Sequence, residues 1–211
     1  MSDIRKLLKE ATMGSHEEAE KSSFMIDMLK GRLTKKQYVL FLVQLRYIYK
    51  ALEEESEKLR DYELHASVYF PSELYRFQNI SADLNYLDPK WSSYEILKST
   101  KKYAERIHEV GIRKSARFLS HTYVRYMGDV SGGQMIRYKL RKAYQLPENG
   151  DGLKFYDFEN INNIKNFKSL YFSRLNEVVQ NEEAIKEILD EARLAFKMNI
   201  NLFNELSKVV C

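Results

Sequence analysis

Helix breakers are so sparse in this 211-residue chain that they set the first constraint on its fold. Only Pro71, Pro89 and Pro147 lack a backbone N–H, and glycine occurs eight times. Proline costs about 3 kcal/mol inside a helix and glycine about 1, so long stretches without either favour α structure. Apolar residues then recur at helical spacing. From Tyr38 through Phe41, Leu42, Leu45, Ile48, Tyr49 and Leu52 one stripe persists, and Thr34-Lys-Lys-Gln37 ahead of it reads as a capping box. Another helix opens near Ser2-Asp3 with Ile4, Leu7, Leu8 and Ala11. A shorter one runs from Pro71 to about Tyr86 and is closed by Asp88-Pro89. Ser92-Ser-Tyr-Glu95 reads as a second capping box, opening a helix that ends at a Gly111 cap. The pattern from about Lys114 to Tyr144 stays helical across three glycines, and Pro147 to Gly152 is a loop. A last helix spans about Glu182 to Val209, with Asn199 a polar residue inside its apolar stripe. Two-residue alternation is nowhere convincing, and there is no repeat. The expectation is an all-α fold, a single compact domain of about seven to eight helices over residues 1–211.

Composition narrows the function classes. The net charge of +4 is spread along the chain, whereas a nucleic-acid binder concentrates basic residues in a stripe. Cys211 is the only cysteine, which rules out an internal disulfide and favours a reducing compartment. The charged Met1 to Lys9 segment lacks the apolar run of a signal peptide, and no window reaches the roughly 20 apolar residues of a membrane span. The chain as given is expected to be soluble, on the cytoplasmic side, and monomeric. A C-terminal tail anchoring it to the endoplasmic reticulum membrane is left open.

Chemistry concentrates in two segments. The first is Gly128-Asp129-Val130-Ser131-Gly132-Gly133-Gln134, where three glycines in one helical stretch cost about 1 kcal/mol each. A helix face without Cβ atoms lets a flat ligand lie on the main chain. A break between two helices, or glycine-mediated helix packing, explains the same glycines equally well. Asp129 adds a carboxylate that can order water or move protons. The second is His16, with Glu20 one turn on. A neutral imidazole is the commonest metal ligand, and a carboxylate on its other nitrogen fixes the tautomer, although a lone helix histidine is more often structural. His65, His108 and His121 are weaker candidates. Glu105-Arg-Ile-His108 has the Glu-x-x-His form of a di-iron bundle, but no second copy exists. No zinc spacing, phosphate loop or nucleophile elbow is present.

In order along nearly the whole chain, several segments resemble the haem oxygenase family. These are Lys9-Glu-Ala-Thr12 with His16-x-x-Ala-Glu20, Leu45-Arg-Tyr-Ile-Tyr49-Lys-Ala-Leu-Glu-Glu-Glu55, Val68-Tyr-Phe-Pro-Ser-Glu-Leu74 and His108-Glu-Val-Gly111. The most specific is Tyr123-Val-Arg125-Tyr-Met-Gly128-Asp129-Val-Ser-Gly-Gly133-Gln134, and Asn199-Ile-Asn-Leu-Phe203 closes the set. The resemblance implies haem, as substrate and prosthetic group, sandwiched between a proximal helix and a kinked glycine-rich distal helix. His16 would be the axial iron ligand, with Glu20 on its free nitrogen. Gly128, Gly132 and Gly133 would form the distal surface. Asp129 would hold a water network with Tyr49, Tyr103, Arg125 and Asn199, while Lys9, Tyr123 and Lys168 would meet the haem propionates. The implied reaction opens the porphyrin at a meso carbon with O2, giving biliverdin, carbon monoxide and ferrous iron. Its electrons would come from an NADPH-linked reductase or a ferredoxin, and Lys6, Arg113 and Lys114 are basic residues available to such a partner.

Two positions depart from the animal members of the family. Met13 stands where a propionate-facing lysine is common, and Phe172 where an arginine usually helps seat a propionate. The meso carbon attacked is therefore open. Arg174, two residues on, points elsewhere around a helix. Two other readings are a haem carrier, which needs His16 but no distal carboxylate, and a di-iron bundle, which would bind no haem.

Overall fold

In the computed structural model residues 3–209 are described, which leaves Ser2 and Cys211 outside them. Among the described residues all regular structure is helical. Eight helices have seven or more residues: α1 (Ile4–Glu20), α2 (Ser23–Leu29), α3 (Lys35–Leu59), α6 (Phe77–Leu87), α7 (Lys98–Ile112), α9 (Gly128–Tyr144), α10 (Ile164–Val178) and α11 (Glu182–Leu206). Single turns α4 (Glu63–Ala66), α5 (Pro71–Leu74) and α8 (Phe118–Thr122) connect them. The expected all-α domain of seven to eight helices is what the chain forms. Apolar spacing alone does not single out α2 or α10.

Local signals fix several ends. Asp3 caps α1 by accepting from the amides of Arg5 and Lys6. Thr34 and Gln37 form a reciprocal capping box at α3, satisfying donors that a helix start leaves orphaned. Through these ends α3 packs along α7 and α6, and α1 lies along α11. The buried stripe of α3 runs through Tyr38, Leu42, Leu45, Tyr49 and Leu52, all fully inside the core.

Other expected ends are corrected. Ser92–Glu95 does not open a helix, and α7 begins at Lys98 with Leu97 as a cap that has no side-chain bond. The reason is tertiary. Buried Gln44 donates to the Glu95 carbonyl at 3.0 Å and accepts from the Leu97 amide at 2.9 Å, holding that segment extended. Glu205 of α11 then accepts from the Ser99 amide at 2.8 Å and caps α7 from outside. Gly111 is not a cap either. It lies inside α7, where an added Cβ would sit 2.6 Å from Glu55 Oε2, and the left-handed residue beyond the helix is Lys114, with φ 52°. The Pro71–Tyr86 segment is two helices rather than one. Between them Glu53 accepts from the amides of Arg76 (2.6 Å) and Phe77 (2.8 Å), capping α6.

Candidate functional site

One stripe of α1 builds one wall of a cleft. Arg5, Lys9, Met13, His16 and Glu20 follow at steps of three and four residues, the spacing that stacks side chains on a single helix face. The opposite wall is α9, entered through a π-helical turn at Tyr123–Met127. Such turns widen a helix by one residue and occur preferentially at functional sites. The glycines therefore do not break the helix; the irregularity comes just before them. Gly128 and Gly132 line the cleft, and a Cβ on either would meet nothing within 4 Å. Gly133 is different. It is buried, and its Cβ would lie 3.1 Å from the Tyr156 ring, because one residue turns about 100° around the helix. Its expected place on the distal surface is thus corrected to a packing contact with the scaffold.

The cleft has two connected arms, both bordered by His16, Glu20, Gly128, Gly132 and Phe196, with cavity volumes of about 320 and 510 Å³. His16 is well exposed, its Nδ1 lies 3.6 Å from Glu20 Oε1, and its ring is 5.9 Å from that of Phe196. Its other nitrogen has no partner among the described residues. The imidazole is thus oriented from behind and open in front, as metal-binding histidines are.

The inner arm reaches a buried polar group. Tyr49, with no exposure to solvent, donates its hydroxyl to Asp129 Oδ2. Arg125 approaches Asp129 Oδ1 at 3.6 Å, donates to Asn199 Oδ1 at 2.8 Å and reaches the Tyr49 oxygen at 3.3 Å. Asn199 is held in turn by the Ala195 carbonyl. The polar residue within the apolar stripe of α11 is thus the one that anchors Arg125. Burial pushes the Asp129 carboxyl well above the usual aspartate range and lowers Arg125. Tyr103 is buried beside Asn199 and Arg125, and burial raises it to about 12. Arg125, which lines this arm, keeps its Nε without a partner among the described residues, so that donor is available to an ordered water or a ligand.

The outer arm is cationic. Lys9 and Tyr123 border it with Arg5, Lys168 and Phe172. Lys168 donates to Ser131 Oγ at 2.7 Å, and burial raises the Tyr123 phenol. Met13 borders the neighbouring opening and is exposed. Arg174 points away, over the Phe70 ring. Several residues of this cleft are not singled out by the sequence, Met25, Leu29, Met135 and Ile136 among them, and with them Phe196 and Arg5. Phe196 lies three residues before Asn199, and Arg5 one turn before Lys9; helical spacing from residues already chosen would have found both.

The remaining histidines lie elsewhere. His65 is buried against the Ser115 carbonyl, His108 Nδ1 is 2.7 Å from Glu55, and His121 Nε2 is 3.0 Å from Glu191. Among the described residues no group of three or more His, Cys, Asp or Glu side chains is placed to hold a metal ion.

The geometry invites comparison with known proteins. The family model described as "Heme oxygenase" matches residues 2–205. Heme oxygenase 1 of Gallus gallus is 41% identical over 99% of this chain and 71% of its own length. Heme oxygenase 2 of Macaca fascicularis is 40% identical over 99% of the chain, which spans 66% of that relative. Among solved structures, heme oxygenase-1 from the cyanobacterium Synechocystis in complex with heme superposes with a TM-score of 0.91 at 33% identity, covering 97% of this chain and 92% of that one. The heme oxygenase of Leptospira interrogans gives the same score and identity, with its whole chain covered. This chain belongs to the haem oxygenase family.

Proposed function

We propose that this chain binds haem in the cleft between α1 and α9 and opens its porphyrin ring, yielding biliverdin, carbon monoxide and ferrous iron. The observation that carries the reading is the pairing of two unlike walls. A histidine held from behind by Glu20 faces a helix surface bare at Gly128 and Gly132, with Asp129 set at its inner end. The donor set fits haem: one neutral nitrogen for iron, a flat surface without side chains, and cations at one mouth for carboxylates. When bound, haem supplies the iron that takes up oxygen and the ring that is opened.

The chain's own part is positioning and proton supply. His16 would hold the iron from the α1 side, with Glu20 fixing its tautomer. On the α9 side no side chain stands above Gly128 and Gly132, so the space there is open to a small diatomic molecule. Asp129, raised by burial, retains its proton closer to neutral pH than an exposed aspartate does, and can pass it to water at the cleft. Tyr49, Arg125 and Asn199 keep that carboxyl in one orientation, and Tyr103, buried beside Asn199, extends the group. Lys9, Tyr123 and Lys168 would take the propionates.

A haem carrier would need His16 but would gain nothing from burying Asp129 with Arg125 and Tyr49, and that burial favours the enzyme. Electrons must come from outside, from an NADPH-linked reductase or a ferredoxin. Of the basic residues considered for such a partner, Arg113 pairs with Glu109, Lys6 with Glu10, and Lys114 lies over the Tyr62 ring. The chain would act as a monomer. No helix among the described residues is long and apolar enough to cross a membrane. The test is a hemin titration followed by ascorbate in air. A Soret band saturating at one haem per chain and then giving way to bilin absorbance is expected. A saturating band that survives the reductant leaves only the carrier.

A further inference from the structure

The cationic mouth of the cleft holds a residue that neither the motifs nor the family resemblance assigned. Arg5 stands one turn before Lys9 on the cleft-facing stripe of α1. Its guanidinium carbon lies 5.3 Å over the centre of the Phe172 ring. That ring is itself buried and fixed, edge-on to Tyr123 at 6.0 Å and to Tyr171 at 5.5 Å. A guanidinium on an aromatic face is attracted by the ring quadrupole and loses rotamer freedom in advance of binding. Phe172 therefore does more than leave a gap on α10: it orients a guanidinium that comes from α1.

The charges around Arg5 point to an anion. Lys168 and Lys9 border the same arm, and none of the three cations has a carboxylate partner among the described residues. Other charges on α1 do pair: Lys6 with Glu10, Glu17 with Lys21, and Glu18 with Lys197, while Glu20 lies beside the His16 imidazole. Arg5 is close enough to Lys168 that, after burial, it is the second cause lowering that ammonium. Gathering like charges without a counter-ion is unfavourable, and a ligand with carboxylates at this spot relieves the repulsion.

Building on the haem reading, we propose that Arg5 is a propionate-binding residue: steered by Phe172, it completes with Lys9 and Lys168 a three-cation cradle at the outer mouth. The guanidinium that the α10 position lacks is supplied from α1.

The test compares hemin with its dimethyl ester, which lacks the free carboxylates, in Soret titrations of the wild type, Arg5→Ala, Arg5→Lys and the neighbouring Lys6→Ala. Arg5→Ala should weaken hemin about tenfold, equivalent to about 1.4 kcal/mol, and change the ester less than about twofold. Arg5→Lys should recover part of the hemin affinity, and Lys6→Ala should match the wild type for both ligands. Added salt should weaken hemin less in Arg5→Ala than in the wild type, since one cationic contact is gone. Wild-type hemin affinity in Arg5→Ala, or equal losses of hemin and ester, would overturn the proposal while leaving the haem reading intact. Absence of a saturable Soret band in the wild type would remove the haem reading and the proposal with it.

Discussion

Two regions of this helical fold treat charged groups in opposite ways. Around α3, α6, α7 and α11 the buried charged and amide side chains are engaged by the chain itself, although Ser99 Oγ and His121 Nδ1 are left without a partner. Gln44, Glu53 and Asp83 accept backbone amides, and Glu191 takes Arg106 and His121 together. At the cleft between α1 and α9 the polar groups are left open. Among the described residues His16 has a free nitrogen, Arg5, Lys9 and Lys168 lack counter-ions, and Arg125 keeps an unspent donor. Satisfied groups fix a scaffold, and unpaired groups that face an open cleft are available to a ligand. On the proposed reading, stability and haem recognition rest on different residues, and that separation can be broken experimentally.

The largest effect is expected at His16. Replacing it with alanine should reduce ring-opening by about 100-fold or more, since even second-shell changes at metal ligands cost 10- to 100-fold. Thermal stability should stay within about 0.5 kcal/mol of wild type, as for other exposed substitutions. Full turnover in that variant would remove His16 as the axial ligand. Asp129→Ala should keep a normal hemin titration but lose about 100-fold in biliverdin yield, the lower range for a positioned proton donor. An unchanged yield would dismiss its role in proton supply.

The scaffold and the cleft were also unequally legible in the sequence. Local signals that a side chain sends to its own helix survived folding, as Asp3 and the Thr34–Gln37 box show. Signals that a distant side chain overrides did not. Ser92–Glu95 has the form of a capping box, yet Gln44 and Glu205 take the amides of residues 97–99 from other helices. The cleft was readable where residues sit on motif segments, which brought Asp129, Arg125, Tyr49 and Asn199 into one cluster. It was unreadable where the face of a helix decides the matter. Gly132 and Gly133 are adjacent and chemically identical, but one opens to the cleft and the other meets Tyr156.

Two glycines sharpen the comparison, because side chains there should change stability in opposite directions. A Cβ at Gly132 meets open space, so Gly132→Leu should raise helix stability by about 0.5–1 kcal/mol. The same change should weaken hemin by roughly 1–3 kcal/mol through crowding. A Cβ at Gly111 would lie within 2.9 Å of three Glu55 atoms, and that carboxylate is held by His108 and Lys58. Gly111→Ala should therefore cost about 1–3 kcal/mol of stability and leave hemin affinity alone. Chemical denaturation and Soret titration of both variants read the four effects. A loss of stability in Gly132→Leu, or a loss of hemin affinity in Gly111→Ala, would join what the structure separates.

The smallest effect is a pH dependence that belongs to the scaffold alone. Asp83 is fully buried and accepts from the amides of Lys154 and Phe155 at 2.7 and 2.8 Å. Burial outweighs those bonds and lifts its pKa from 3.8 to about 7. The folded chain then holds a proton that the unfolded chain releases above about pH 4. Stability contributed by this group is complete below that pH, declines as pH rises towards 7, and levels off beyond. Glu191 behaves in the opposite sense. Burial disfavours its charge, but Arg106 and His121 prevail and hold it at about 2, so its contribution is present above about pH 4.5 and fades as pH falls towards 2. Asp83→Asn removes the first titration and, with one acceptor oxygen fewer, costs about 1–3 kcal/mol at low pH. The stability gap between wild type and variant should narrow from pH 5 to pH 8, while hemin affinity stays equal in the two proteins. Parallel stability curves would show that Asp83 ionises normally inside the fold, and a change in hemin affinity would show that its anchorage of residues 154–155 reaches the cleft.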